Sequence, residues 1–425
     1  MREHRRARTT ITAPGTRHRG SVTPPIIQVI PAGEASGSPG AVSGLRGIHQ
    51  VPKNMRRIKL DRIRERWQEK VEDIGFYYHE IDGSPYWDES AYYQFTSDQI
   101  DHLEEVTDDL YAKCKRLVDY AFQNDLGDRM GIPRDFFEYA RESWRNREPT
   151  IYGRFDFWWD GVSDPKLLEF NADTPTALFE ASVVQYYWLQ DMFPGKDQFN
   201  SIHEKLLDVL GGKIRRYCSY ETFYTSSVRD NLEDLTTTEY LRDVATQAGL
   251  KTEHIYVDDI GYDNDNRYFV DLAENRMRCM FKLYPWEWMI REEFGSHLLE
   301  KSLAFLEPAW KMVLSNKAIL PLLWEMYPGH RNLLPSYFEP RADAVTYVEK
   351  PFFSREGENI VVRPHFSNAR PGSIYQEYRQ LPEYSGNYPV IGSWVIDEMA
   401  AGIGIREDTG PITNNMSRFV PHAFE

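Results

Sequence analysis

Residues 150–173, TIYGRFDFWWDGVSDPKLLEFNAD, leave the chain little choice of local structure. Two runs of period-two alternation flank Gly161, Val162, Ser163 and Asp164, with Pro165 directly after, a composition that favours a tight turn between strands. Closing an antiparallel pair through that loop sets Asp160 opposite Pro165, Asp156 opposite Glu169 and Arg154 opposite Asn171. The same register puts Phe155 across from Phe170 and Phe157 across from Leu168, so one face of the ribbon is apolar and the other ionic. Carboxylates directly across a ladder, with Cβ atoms roughly 4.5–5.5 Å apart, repel each other unless something neutralises them. Asp156, Glu169 and Asn171 offer only hard oxygen ligands, which suits Mg²⁺ with waters and phosphate oxygens completing its shell. A solvated strand face with Arg154 as internal counter-ion satisfies the same spacing equally well.

Around this hairpin the periodicity alternates between two and 3.6. Residues 251–258, 344–350, 359–363, 373–378, 390–398 and 402–407 read as strands. Residues 59–73, 97–122, 236–248 and 296–315 read as helices, the second with Ile100, Leu103, Val106, Leu110, Leu117 and Ala121 on one side and Thr96 with Gln99 as a capping box. The class is mixed α+β, divided into a leader at 1–54, a mainly helical part at 55–148 and a core at 149–425. The leader is rich in Arg, Pro, Gly, Ser and Thr, nearly free of acids and without periodicity, and is expected to be disordered. It has the composition of a transit peptide but no secretory apolar region, and it reads equally as a dispensable tail or an upstream start, with Met55 opening the folded protein.

Composition removes several classes. With 50 basic and 65 acidic residues the formal charge is −15, which argues against binding a nucleic-acid polymer or an anionic membrane. No apolar run approaches the roughly 20 residues that span a bilayer. The cysteines, Cys114, Cys218 and Cys279, are odd in number and far apart, and suggest neither a disulfide framework nor a thiolate zinc site. A reducing, cytoplasmic setting is the expectation.

Phosphate chemistry needs an unconventional device here. There is no GxxxxGK[ST], and Gly402 with Gly404 gives half of a dinucleotide fingerprint. The stretch KPFFSREGEN instead puts Lys350 at a strand end, followed by Ser354, Arg355, Glu356 and Gly357 in a polar loop of the kind that closes over phosphates, although Lys, Arg and Gly are also ordinary in a surface hairpin. Lys317 is a second cation, and Gln376, Glu377 and Tyr378 end a strand where donors and acceptors can read an adenine edge. Arg406 lies on a glycine-punctuated strand, where close approach of backbone or ligand explains the glycines. Thr174, Thr176 and Glu180 follow the hairpin, where hydroxyls cap a helix or bind a substrate carboxylate.

Together these pieces resemble the synthetase domain of the glutathionylspermidine synthase family, a group of ATP-grasp acid–amine ligases. The resemblance runs from residue 55 to the C-terminus and rests on RFDFWWDGVSDPKLLEFNADTPT, NKAILPLLWEMYPGHRNLLPSYF, YVEKPFFSREGENI and GIGIREDTGPITNNMSRFVPH, in the family's order. It implies an ATP-grasp-like fold of the glutathione/glutathionylspermidine synthetase type, with a mobile phosphate-covering lid around 350–363. It also implies amide formation through an acyl phosphate, with ATP and two Mg²⁺ as cofactors. By motif, Asp156, Glu169 and Asn171 hold the metal, and Lys317, Lys350, Arg355, Glu356, Gly357, Gln376, Glu377 and Tyr378 bind ATP. Arg154, Thr174 and Thr176 contact the acid, Arg154 and Arg406 are catalytic, and Glu233 with Asp234 contacts the amine. Threonine stands where the family has serine at 174 and 176, which narrows the acid site. No amidase-like Cys–His constellation precedes the synthetase region, so the stand-alone branch is expected, with a small carboxylic acid or peptide and an amine as substrates. An ATP-grasp phosphotransferase or a non-catalytic nucleotide-binding protein would use the same residues.

Overall fold

The computed structural model describes residues 55–425 apart from 82, 220, 342–345, 356, 358, 364–368 and 411–416. The leader and Glu356 lie outside the described residues. The hairpin forms as its alternation requires, with strands Tyr152–Trp158 and Lys166–Asn171 pairing Arg154 with Asn171, Phe155 with Phe170 and Asp156 with Glu169. Beyond Asp156 the expected register fails by one residue, and Phe157 faces Leu167 instead of Leu168. The cause is a β-bulge. The carbonyls of Leu167 and Leu168 accept hydrogen bonds from Gln376 Nε2 at 3.1 Å and Lys350 Nζ at 2.9 Å, side chains that belong to another sheet.

Strand Tyr152–Trp158 is buried along its length because it is interior to a five-stranded sheet. Across the sheet the order is Arg418–Val420, Met399–Asp408, Tyr388–Ile396, Tyr152–Trp158 and Lys166–Asn171, all antiparallel. Its apolar side carries the Phe155 and Phe170 rings stacked at 4.0 Å between centroids. Helix Ser97–Gln123 packs against strand Met399–Asp408 with Ile100, Leu103, Val106, Leu110, Leu117 and Ala121 buried. Its capping box is present, Gln99 N donating to Thr96 Oγ1 at 3.3 Å and Thr96 N to Gln99 Oε1 at 2.9 Å.

A second antiparallel sheet, in the order Ser336–Tyr337, Ser373–Glu377, Tyr347–Pro351 and Val361–Arg363, meets the hairpin edge through the Lys350 and Gln376 bonds just described. A parallel sheet follows the order Ala304–Leu306, Cys279–Lys282, Phe223–Ser227 and Thr252–Tyr256, with helix Leu232–Gln247 as the crossover between the last two. A three-stranded sheet joins Arg56–Lys59 and Ala91–Phe95 to the chain's last strand, His422–Phe424.

Two expected helices are only partly helical. Of residues 59–73, helix spans Trp67–Asp73, while Arg56–Lys59 is drawn into a strand by pairing with Ala91–Phe95, a partner that local periodicity cannot reveal. Residues 296–315 break into a short turn at Gly295–Glu300, strand Ala304–Leu306 and helix Lys311–Leu314, because Pro308 interrupts the pattern and strand Cys279–Lys282 offers a parallel edge. The cysteine expectation also needs correcting. Parallel pairing sets Cys279 beside Phe223, five residues after Cys218, and the two cysteines are joined by a disulfide with Cα atoms 5.4 Å apart.

Candidate functional site

Glu307 fixes the start of the central strand by accepting from the backbone N–H groups of Ile151 at 2.9 Å and Tyr152 at 3.0 Å. Two residues on, Arg154 turns its guanidinium along the strand, donating from Nε to Asp156 Oδ1 at 2.6 Å and from NH2 to Oδ2 at 3.0 Å. Gly392, opposite Asp156 in the ladder, makes room for this, since a Cβ there would lie 2.9 Å from Arg154 Cδ. Arg406 reaches the same carboxylate from strand Met399–Asp408, two strands away, NH2 to Oδ2 at 3.1 Å. The glycines around Arg406 serve packing: a Cβ on Gly404 would come within 2.8 Å of the Phe419 ring and 3.3 Å of Ala181 Cβ.

Asn171 Nδ2 is 3.3 Å from both Asp156 Oδ2 and Glu169 Oε1, so the three oxygen-bearing side chains predicted from the hairpin converge. Lys317, which precedes helix Ile319–Met326, sits 3.3 Å from Glu169 Oε2 and donates to the Ser354 carbonyl at 2.5 Å. Lys350 is buried and donates to Gln376 Oε1 at 2.8 Å. These charges determine protonation. Burial pushes the Glu169 carboxyl upward, but Lys317 and Lys350 outweigh it and hold the group well below the usual carboxylate range. Burial, helped by the nearby Lys317 charge and opposed by Glu169, brings Lys350 down to about 8.

The loop after Lys350 is folded onto this cluster. Arg355 donates from NH1 to Thr174 Oγ1 at 2.5 Å and from NH2 to Glu287 Oε1 at 2.9 Å, while the Gly357 carbonyl accepts from Ile360 N at 3.2 Å. Thr176 joins through its carbonyl, which accepts from Arg154 NH1 at 2.7 Å. Gln376 is buried and engaged by Lys350, Glu377 is exposed, and Tyr378 N donates to the Thr346 carbonyl at 3.2 Å. Glu233 and Asp234 open helix Leu232–Gln247, whose cap Asn231 accepts from Asp234 N at 3.1 Å. Glu233 lies near enough to Glu180 for the two carboxylates to repel.

Three residues at the site escaped the sequence reading. Asp173 continues the alternation of Glu169 and Asn171 and was visible in principle; it receives Lys282 Nζ at 2.6 Å and Trp286 N at 3.0 Å. Lys282 and Glu287 carry no local signal, because the parallel sheet delivers them.

A cavity lined by Glu169, Asn171, Thr174, Lys317, Ser354 and Arg355 lies beside the hairpin edge. The described residues contain no group of three or more His, Cys, Asp or Glu that would cage a metal. Two carboxylates and an amide, oxygen donors only and flanked by two lysines, fit instead a hard cation that keeps waters and shares phosphate oxygens. The chemistry available is charge neutralisation and alignment of a phosphorylated species.

Residues 58–425 match the family described as glutathionylspermidine synthase preATP-grasp. A protein of Haemophilus influenzae, described provisionally as an acid–amine ligase, is 40% identical over 380 residues, covering 83% of this chain and 95% of that protein. Trypanothione synthetase of Crithidia fasciculata is 27% identical over 329 residues, 68% of this chain and 49% of its own. The bifunctional glutathionylspermidine synthetase/amidase of Escherichia coli is 27% identical over 367 residues, 78% and 58% respectively. The chain thus spans about half the length of these last two relatives.

Proposed function

The chain belongs to the glutathionylspermidine synthase family and is a carbon–nitrogen ligase, and we propose that it uses ATP to join a small carboxylic acid to an amine through an acyl phosphate. The observation that supports this reading is the cluster that joins Asp156, Glu169 and Asn171 to Lys317, Lys350, Arg154 and Arg406, of which Glu169, Asn171 and Lys317 line a cavity. A carboxylate and a triphosphate repel each other, so a site that reacts them must supply positive charge in fixed places.

Each residue then takes a role in this reading, Glu356 by its place in the sequence alone. Asp156, Glu169 and Asn171 would hold Mg²⁺, two ions in the fullest form, which when bound neutralises phosphate charge and orients the γ-phosphoryl group. Lys317 and Lys350 act as point charges for the phosphates, with Gln376, Glu377 and Tyr378 on the base side. The acid enters against Thr174 and Thr176, and Arg154 and Arg406 steady the negative charge that develops as the carboxylate oxygen attacks phosphorus and ADP leaves. Arg355, Glu356 and Gly357 close over the phosphates, excluding the water that would hydrolyse the acyl phosphate. Glu233 and Asp234 attract the amine as a cation. The amine then attacks the acyl carbon, the C–O bond to phosphate breaks, and phosphate departs.

The test is ADP release by purified protein with Mg-ATP, across carboxylic acids including glutathione and short peptides, crossed with spermidine, other polyamines and amino acids. The expected result is ADP release that requires both an acid and an amine, with a condensed product of the summed mass less water. A stable phosphorylated product formed without amine would establish a phosphotransferase in its place. Failure to bind Mg-ATP in calorimetry would overturn both.

A further inference from the structure

The amine must lose a proton before it can attack, and none of the residues assigned above takes it. Glu180 follows Leu178 and Phe179 in the helix after Thr176 and begins a π-helical turn spanning Glu180–Val184, an irregularity frequently found at functional sites. Its side chain is completely buried. One oxygen, Oε1, receives two hydroxyls, Tyr86 Oη at 2.7 Å and Tyr78 Oη at 3.1 Å. The other, Oε2, is buried with no hydrogen-bond donor. A buried carboxylate oxygen left that way is costly, and a donor that arrives with a ligand would satisfy it.

The surroundings indicate which ligand. The same segment is tied to the reacting cluster, since the Thr176 carbonyl accepts from Arg154 and Ala181 lies under the Gly404 backbone on the Arg406 strand. The groups facing Glu180 are Tyr78 and Tyr86 from the segment before strand Ala91–Phe95, Glu233 from the crossover helix and, across Tyr86, Arg406 and Arg154. A carboxylate that already has two tyrosine donors and an acidic neighbour is complementary to a cation bearing N–H groups. An anion is excluded there by Glu233.

We propose that Glu180 is the general base of the ligase reaction, its Oε2 accepting a proton from the ammonium form of the incoming amine. The inference rests on the ligase reading above. In balanced form, R–NH₃⁺ and the Glu180 carboxylate give R–NH₂ and the carboxylic acid. The amine lone pair then forms the C–N bond at the acyl carbon, the C–O bond breaks toward phosphate, and the second N–H proton leaves with phosphate as HPO₄²⁻. Glu180 returns its own proton to solvent when the products depart. Burial first, and then Glu233, raise the Glu180 carboxyl to about 7, where a base working at neutral pH serves best.

The test separates acid activation from amine deprotonation. With the acid and amine that give ADP release, amide formation is compared with trapping of the acyl phosphate by hydroxylamine, a nucleophile already uncharged at neutral pH. Glu180→Gln keeps an acceptor for the tyrosines. Amide formation at neutral pH should fall by about 10²–10⁴-fold, the usual worth of a placed base. Hydroxamate formation should stay within a few-fold of wild type, and the amide deficit should narrow as pH rises and the amine deprotonates unaided. Amide formation at the wild-type rate, or equal loss of amide and hydroxamate, overturns the assignment. Absence of hydroxamate from the wild-type protein defeats the ligase reading itself. Should the glutamine variant fail to fold, Tyr86→Phe removes one donor, and the acidic limb of the amide pH profile should move to higher pH with hydroxamate unaffected; an unmoved limb counts against Glu180.

Discussion

The Arg154–Asp156 pair allows a quantitative test of how the site is held. The two side chains are 7% and 4% exposed, with Nε and Oδ1 2.6 Å apart. Two charges this deeply desolvated are worth little as a pair compared with apolar residues of similar volume, yet removing one partner typically costs about 3–5 kcal/mol because the other is left buried and unpaired. Asp156→Leu leaves Arg154 with the Thr176 carbonyl and the more distant field of Glu169. Arg154→Met leaves Asp156 with Arg406 and Asn171. Those residual partners place each single variant near the lower end, about 3 kcal/mol, or roughly two decades in the unfolding constant. The double variant should be more stable than either single one and should therefore fall short of their summed cost by at least about 3 kcal/mol. Urea unfolding at a shared slope measures all four proteins, and ADP release is followed in parallel. Activity should be absent from all three variants, since recovered stability restores neither the proposed metal ligand nor the arginine. Strictly additive stability losses, or an active double variant, would refute the reasoning.

Three further outcomes follow from the geometry. Gly392→Ala places a methyl group 2.9 Å from Arg154 Cδ, so it should cost about 1–3 kcal/mol and lower kcat more than it raises KM for ATP; a variant with normal kcat would show that Arg154 need not keep its position. Lys350 is charged below about 8 and neutral above it, so KM for ATP should rise as pH passes through that value, and Lys350→Arg should remove the inflection; a flat profile in the wild type would contradict a phosphate role. Arg355→Ala releases the loop from Thr174 and Glu287, which should weaken ATP binding and permit ATP hydrolysis without amide product, and full coupling with an unchanged KM would count against a lid.

What could be read in the sequence was what local geometry decides. The Thr150 to Asp173 stretch carries its alternation, its turn and its charges within one hairpin, so the cross-strand pairs from Arg154 to Asp156 were determinable without the rest of the chain. The register fails at Phe157 because the bulge is set by Lys350 and Gln376, which arrive from a different sheet about 200 residues later. The Ser97–Gln123 helix, with its own cap and its own apolar stripe, was equally local. Residues 296–315 have a helical pattern too, but a parallel strand edge formed by Cys279–Lys282 competes for them and Pro308 tips the balance. The same sheet joins Cys218 to Cys279 and brings Lys282 to Asp173, neither of which leaves a trace in spacing. Glu180 was noticed only as a residue following the threonines, since burial with one orphaned oxygen is a tertiary property.

The charge arrangement would let an acidic protein host a polyanion, as the proposed reaction requires. Across the cluster, Arg154, Arg406, Lys317 and Lys350 outnumber Asp156 and Glu169 by two, within a chain of net charge −15. A triphosphate and an acid substrate bring more negative charge than that surplus can balance, and in the proposed reaction a divalent cation supplies the remainder. A cation held there would compete with arginine for the same oxygens, because Asp156 already receives both Arg154 and Arg406. Arg154 is also held by the Thr176 carbonyl and is the more buried of the two, so Arg406, whose side chain is 23% exposed, is the one that such a cation would free. Its guanidinium would then be available to a phosphoryl group. On this argument Mg-ATP binding and the recruitment of Arg406 are a single event, and an Arg406→Met variant should bind Mg²⁺ more tightly than wild type while losing turnover; weaker Mg²⁺ binding by that variant would break the link.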